Sequence, residues 1–223
     1  ASKIVNERNK NGSFLNLDDF IDRVPISLEQ LAILIKINAF KFTGRNKREL
    51  LWEAHMKVHK VCLEERVMSL FKTEKISYKT PQLISSALED AFDEIQHIGF
   101  PLCNPFNLLS TPLKQCFFAL DFVNYIGRVV AVYGYYVTVK RTITSKGESM
   151  YFGTFIDLNG DFIDTVHFPF SAKKYPFKGR GVYKLVGKIT AEFDCMTVAV
   201  EKMEKLPIVQ DPRYAEKNKK ITV

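Results

Sequence analysis

The sequence predicts an α+β chain in which an all-helical N-terminal module precedes a small closed β-barrel of five strands. Three observations predict this class. Apolar residues recur at helical spacing from Leu17 to Ile35. Val- and Tyr-rich segments follow one another from Gly127 to about Lys205. Between two of them stands Asn159-Gly160, a strong hairpin signal because both residues tolerate positive φ.

The helical module is read in order. Residues 3–11 are polar apart from Ile4 and Val5, and Asn11-Gly12-Ser13 ends them. Leu17, Phe20, Ile21 and Val24 lie at i, i+3, i+4, i+7, one face of a helix that Pro25 breaks. Ser27 with Gln30 is a capping-box pattern, opening a helix that turns Leu28, Leu31, Leu34 and Ile35 inward. That helix stops near Ile37-Asn38, Asn being second to Gly at a left-handed C-cap. Asn46 to about Leu70 is helical, with no Gly or Pro. An extended connector through Pro81 follows, then a helix from Ser86, capped with Glu89, to His97, ended by Gly99 and Pro101. Thr111-Pro112 reads as the start of a short connecting helix.

The barrel begins with GRVVAVYGYYVTVKR, a long strand with Gly134 inside it. MYFGTFIDLNGDFIDTVHFP supplies the next two strands around Asn159-Gly160. A Lys-rich connection from Ser171 to Gly181 precedes VYKLVGKITAEF and MTVAVEKM, joined by Asp194-Cys195. Five strands, a long first one and a longer third connection fit the OB-fold, a barrel that often binds oligonucleotides. The expected domains are a helical region over 1–110, a connecting helix over 111–126, the OB-fold over 127–206 and a flexible tail over 207–223.

Composition sets the outer limits. No run approaches the roughly 18 apolar residues of a membrane span, and no signal-peptide layout opens the chain, so no membrane partner and a cytoplasmic location are expected. A net charge of +7 favours a polyanionic partner. Cys62, Cys103, Cys116 and Cys195 stand far apart and read as reduced, buried residues rather than a disulfide frame or zinc site. Ala1-Ser2-Lys3-Ile4 enters a helix with neither Met nor cap, which suggests a piece of a longer chain.

Catalytic patterns are weak. His55, His59 and Cys62 share one helical face, but Met56 stands where the HExxH glutamate belongs, so the segment reads as an ordinary helix surface. Asp157, Asp161 and Asp164 surround the Asn159-Gly160 turn and read as turn chemistry rather than a Mg²⁺ site. Gly44-Arg45-Asn46-Lys47 lacks P-loop spacing, and neither Cys103 nor Cys116 has a nearby His. No catalytic residue, metal ligand or cofactor is expected. The nucleic-acid pattern is stronger: single-strand binders combine a basic groove with rings on which bases stack. Lys140, Arg141 and Lys146 surround the first long loop, and Lys173, Lys174, Lys178 and Arg180 follow the third strand. Tyr133, Tyr135, Tyr136, Tyr151 and Phe152 interleave on the first two strands, where only about half can face outward. Lys140, Arg141, Lys146, Lys173 and Lys174 are the expected phosphate contacts, with Tyr136 and Phe152 as stacking rings.

Three blocks resemble the C-terminal part of the bacterial DNA polymerase III alpha subunit, the C-family replicase. IVNERNKNGSFLNLDDFIDRVPISLEQLAILIKINAF is similar to that family's tandem helix–hairpin–helix region, through Phe14, Leu17, Asp19 and Phe20 and then Leu34 to Phe40. DAFDEIQHIGFPLCNPFNLL resembles its linker, with Asn104 in place of a His. The barrel block matches at Gly134, Arg141, Ser145, Lys146, Gly147, Met150, Phe152, Asp157, Gly160, Val166, Phe168 and Pro169. Asn38 stands where the family's hairpin has Gly. A clamp-binding peptide of the form Q-x-x-L-F is similar to Val67-Met68-Ser69-Leu70-Phe71, with Val67 in the Gln position.

The resemblance implies a non-catalytic accessory region whose parent chain is a DNA-directed DNA polymerase, a nucleotidyltransferase acting in DNA replication. An OB-fold for single-stranded template and a helical module tethered to duplex DNA and the sliding clamp are its expected parts. The clamp-loader tau subunit is a further partner implied by the family's C-terminus. The alternative is an OB-fold that docks a replisome protein and touches no DNA.

Overall fold

The computed structural model describes residues 2–64, 83, 86–113, 117–192 and 195–214, and not the side chains of 59–64 or 192. These residues form two compact units: residues up to Gly99 together with 211–214, and Phe100 to Gln210. No helix among the described residues is long and apolar enough to cross a membrane.

The first unit holds α1 (Ser2–Asn11), α2 (Leu17–Arg23), α3 (Leu28–Lys36), α4 (Lys47–Glu64) and α5 (Ala87–Ile98). The side-chain oxygen of Asn16 accepts the Asp19 N–H at the start of α2, and Ser27 Oγ accepts the Gln30 N–H at the start of α3. Leu17, Phe20, Val24, Leu31 and Ile35 are buried as their spacing predicts, and Phe40, Leu50 and Ala54 complete the core. Arg23 ties α1 to α2. Its guanidinium donates to Glu7 Oε1 at 3.1 Å, Asp19 Oδ2 at 3.0 Å and the Gly12 carbonyl at 2.9 Å, and lies over the Phe14 ring.

Asn38 adopts φ 67°, the one non-glycine among the described residues with positive φ. The Ala39 N–H reaches the Leu34 carbonyl and the Asn38 N–H reaches that of Ile35, each at 3.0 Å. Both bonds of a Schellman closure are therefore made at a residue that lacks glycine's freedom. At α5, Gly99 takes φ 83° as expected, whereas Ser86 occupies the N-cap position without a side-chain bond. Its expected partner Glu89 pairs instead with Arg48 of α4.

The second unit is the barrel. Its strands are β1 (Val129–Ile143), β2 (Ser149–Ile156), β3 (Phe162–His167), β4 (Val182–Glu192) and β5 (Cys195–Lys205), closed in the order β1-β2-β3-β5-β4. Only the β3–β5 pair is parallel. The six-residue helix α6 (Pro169–Lys174) connects β3 towards β4. This is an OB-fold. Val132, Phe155, Ile163, Leu185, Ile189 and Val198 fill its interior, each burial contributing roughly 1.5–3 kcal/mol.

Strand β1 changes partner half-way. Val129–Tyr135 pairs with β4, and from Tyr135 onward β1 pairs with β2. At the crossing, a Cβ on Gly134 would lie 2.7 Å from the Phe155 Cβ, so the glycine permits close approach rather than a turn. The register then slips between Tyr136 and Thr138, a bulge at Val137.

The structure corrects three expectations about connections. Thr111–Leu113 is not helical, and the described helical turn before the barrel is a 3-10 stretch over Ala119–Tyr125. The unit boundary falls after Gly99 rather than near 110, because Phe106 packs on Tyr133 and Val182 of the barrel. The segment after Pro207 is tied down as far as it is described: Val209 N–H donates to the Leu108 carbonyl, and Arg213 pairs with Asp93 and Asp211. Positions 65–82, 84–85, 114–116, 193–194 and 215–223 fall outside the described residues.

Candidate nucleic-acid interface

Strand alternation sorts the barrel residues into two faces. Gly153 and Phe155 of β2 point inward with Ile163, Thr165 and His167 of β3. Met150, Phe152, Thr154 and Ile156 therefore point outward, beside Phe162, Asp164 and Val166. Pairing places Lys140, Phe152 and Val166 in one row across β1, β2 and β3, and Ile156 opposite Phe162. Phe168 follows Val166 by two residues and continues this outer row.

Four phenylalanines are exposed here, from 45% for Phe152 through Phe168 and Phe162 to 79% for Phe170. Lys140, Lys146, Lys173 and Lys174 are exposed with them. The Lys174 ammonium lies 5.8 Å from the Phe170 ring centre and 5.6 Å from that of Tyr175. The β1–β2 loop carrying Lys146 joins the end of β1 to the start of β2, and Arg141, Tyr151 and His167 share a row there. Because α6 leaves β3 directly after His167, Lys146, Lys173 and Lys174 gather at one end of the barrel. Asp164 is the acidic exception on the face, and it accepts a hydrogen bond from Thr154 at 2.9 Å.

Two expected contacts do not join this set. Tyr136 packs inside, 5.9 Å from Phe155 and 5.6 Å from Phe177 between ring centres, so it is not an outward stacking ring. Arg141 is consecutive with Lys140 and points the opposite way, donating to Ser149 Oγ at 2.8 Å. Phe162, Phe168 and Phe170 are site candidates that the residue-level reading missed. Alternation through Phe162, Asp164, Val166 and Phe168 is the signal that finds the first two.

The remaining expectations resolve as follows. Asp157 is buried rather than displayed at a hairpin tip: its carboxylate accepts the N–H groups of Asn159, Asp161 and Ala119 at 2.9, 3.0 and 3.0 Å. No group of three His, Cys, Asp or Glu among the described residues could hold a metal. Cys103 and Cys195 are exposed, contrary to the expectation of burial, because both lie in surface connections or at a strand start. His55 is exposed on α4, and the side chains of His59 and Cys62 lie outside the described residues, as do Cys116 and the clamp-peptide candidates Val67, Met68, Ser69, Leu70 and Phe71.

In the helical unit the hairpin after α3 presents Lys41 and Phe42 to solvent. Among the described side chains, carboxylates match Arg45 before α4 (Glu49 and Glu53) and, within α4, Arg48 (Glu89) and Lys57 (Asp18 and Glu53). Lys47 is buried against Glu94 at 3.4 Å and Asp90 at 3.6 Å.

Residues 1–50 match the helix-hairpin-helix motif family. A 54-residue stretch is 41% identical to an error-prone DNA polymerase of Mycolicibacterium paratuberculosis (strain ATCC BAA-968 / K-10). That stretch is 24% of this chain and 5% of the relative, so the chain spans a small part of the curated protein it matches. Among solved structures it is similar to the N-terminal domain of PriB from Thermoanaerobacter tencongensis, at 14% identity and TM-score 0.30, over 35% of this chain and 96% of that one. It is also similar to the second OB-fold domain of replication protein A from Methanococcus maripaludis, at 9% identity and TM-score 0.29, over 38% and 90%. Likeness of this extent bears on neither ligand nor partner.

Proposed function

We propose that the barrel binds single-stranded DNA across the outer face of β1, β2 and β3, as a non-catalytic region of a bacterial replicative DNA polymerase. The observation that carries this reading is the set of exposed rings Phe152, Phe162 and Phe168 along the outer face and Phe170 on α6, with Lys140 beside Phe152 and Lys146, Lys173 and Lys174 at the α6 end. Rings offer sequence-tolerant stacking, and the ammonium groups follow the phosphates. The helix-hairpin-helix match and the polymerase relative support a place in a DNA polymerase. The helical unit would act as a tether to duplex DNA through its hairpin rather than through α4, where Lys47, Arg48 and Lys57 are paired with carboxylates. Recruitment of the sliding clamp through Leu70 and Phe71, or of tau through the C-terminal tail, rests on resemblance alone and is checked by calorimetry against each protein. The protein acts in the cytoplasm in this reading, without a cofactor of its own.

Fluorescence anisotropy of labelled oligo-dT at two salt concentrations tests the proposal. Binding is expected to weaken steeply with salt, by about one unit of log slope for each phosphate contact. No binding at low salt overturns it.

One observation favours a second reading, protein docking. Leu120 and Val123 are exposed three residues apart in the 3-10 stretch Ala119–Tyr125, the period that aligns their side chains, and Ile126 just after it and Val129 at the start of β1 are exposed as well. An apolar stripe of this kind suits a protein surface.

A further inference from the structure

We infer that the barrel unit holds a pocket for a single nucleotide at the far end of the ring-bearing face. A cavity of about 550 Å³ opens beside the turn between β2 and β3. Phe100, Leu102 and Val137 line it and are exposed to solvent. Tyr135, Asn104 and Arg180 also line it. The lining also holds Asn159 and the Asp157 carboxylate, whose oxygens are taken up by the N–H groups of Ala119, Asn159 and Asp161. A mainly apolar wall with aromatic rings, two amides and one cation, at this volume, suits a small heteroaromatic anion. The Arg180 charge acts on the Tyr135 phenol, so the cation and the ring sit within electrostatic reach of each other. A base stacked on Tyr135 then places its phosphate towards the guanidinium.

Position argues for a nucleotide over other ligands of that class. Ile156 lines the cavity and pairs with Phe162 across β2 and β3. A strand running along Phe168, Phe152 and Phe162 therefore reaches the cavity as it leaves the last ring. This inference rests on the single-strand reading above, and it adds that one nucleotide is turned out of the stack and held. The same chemistry is offered by a free mononucleotide, so the test separates the two sources.

Cys103 lines the cavity and is exposed, which makes it a reporter. With Cys62, Cys116 and Cys195 changed to Ser in the full 223-residue chain, maleimide modification of Cys103 is timed alone, with oligo-dT and with dTMP. The cysteine-reduced chain is first shown to bind oligo-dT as the parent does. Oligo-dT is expected to slow the modification about tenfold, and Val137→Trp, which fills the cavity, to weaken oligo-dT about tenfold and abolish the protection. Leu102→Trp is the second filling variant should Val137→Trp melt early. Protection by dTMP as well assigns the pocket to mononucleotides, and protection by oligo-dT alone assigns it to a strand. Salt-sensitive oligo-dT binding that Phe152→Ala weakens, with the Cys103 rate unchanged, overturns the pocket and leaves the single-strand reading standing. Absence of oligo-dT binding with no protection by dTMP overturns both.

Discussion

Thr165 Oγ1 lies 3.0 Å from His167 Nε2 and gives its own proton to the Gly153 carbonyl at 2.8 Å. Nε2 must therefore carry the imidazole proton, and Nδ1, which has no partner, is the site left to titrate. His167 is fully buried against Phe177, and burial pushes its pKa down to about 4.

That shift makes barrel stability depend on pH. The unfolded imidazole takes a proton as pH falls through about 6.5, whereas the folded one waits until about 4. Stability is thus complete above the upper value and is lost between the two, by about 3 kcal/mol. Urea unfolding at intervals from pH 7 to pH 4 measures it, and His167→Gln should flatten the slope. Glu7, Asp19 and Asp211, whose carboxyls are lowered by hydrogen bonds, add a separate loss only at lower pH.

Replacing Gly187 by Ala should destabilise the barrel by about 3 kcal/mol. A Cβ there would stand 2.3 Å from the Ala199 carbonyl oxygen, which is backbone of the paired strand and cannot swing aside. Thermal denaturation compares the two proteins.

Lys47→Met should cost about 3–5 kcal/mol by removing the cation of a buried ion pair with Glu94. Both side chains are about 5% exposed. The double variant Lys47→Met with Glu94→Leu should recover most of that loss, and a double-mutant cycle by chemical denaturation reads the difference.

Asn38→Ala should destabilise the helical unit by about 1 kcal/mol, and Asn38→Gly should leave it equal or slightly more stable. The left-handed backbone at this residue separates the two substitutions, so a melting temperature lowered by Asn38→Ala and not by Asn38→Gly identifies it.

On the DNA side, Phe168→Ala should weaken oligo-dT about tenfold with the salt slope unchanged. Lys173→Ala with Lys174→Ala should instead lower the slope by about one unit each. Anisotropy titrations across several salt concentrations separate the two effects.

Local chemistry was legible in the sequence. Ser27 before Gln30, Asn38 after Ile37 and the Leu17, Phe20, Val24 stripe each act within a few residues of themselves, and each behaves as its spacing implies. The bulge at Val137 was not legible, because it depends on how β1 changes partner, and it decides that Tyr136 turns inward. Nor was the burial of Asp157, since the Ala119 N–H that completes its bonding comes from a distant part of the chain. Phe170 was hidden for a similar reason: the connection after β3 reads as a Lys-rich loop until its Pro169 start is seen to open a helix.

The partner change of β1 has a bearing on aggregation. Beyond Tyr136, whose N–H still reaches the Gly181 carbonyl at 3.0 Å, the strand keeps β2 on one side, and no strand among the described residues pairs with its other side. Val137 to Ile143 is thus an open strand edge, with backbone donors and acceptors available to another copy of the chain. Lys140 and Arg141 stand on that edge, and charge there repels a second identical strand. Replacing both by alanine strips the edge of its guard, so the double variant Lys140→Ala with Arg141→Ala should self-associate at concentrations where the parent stays dispersed.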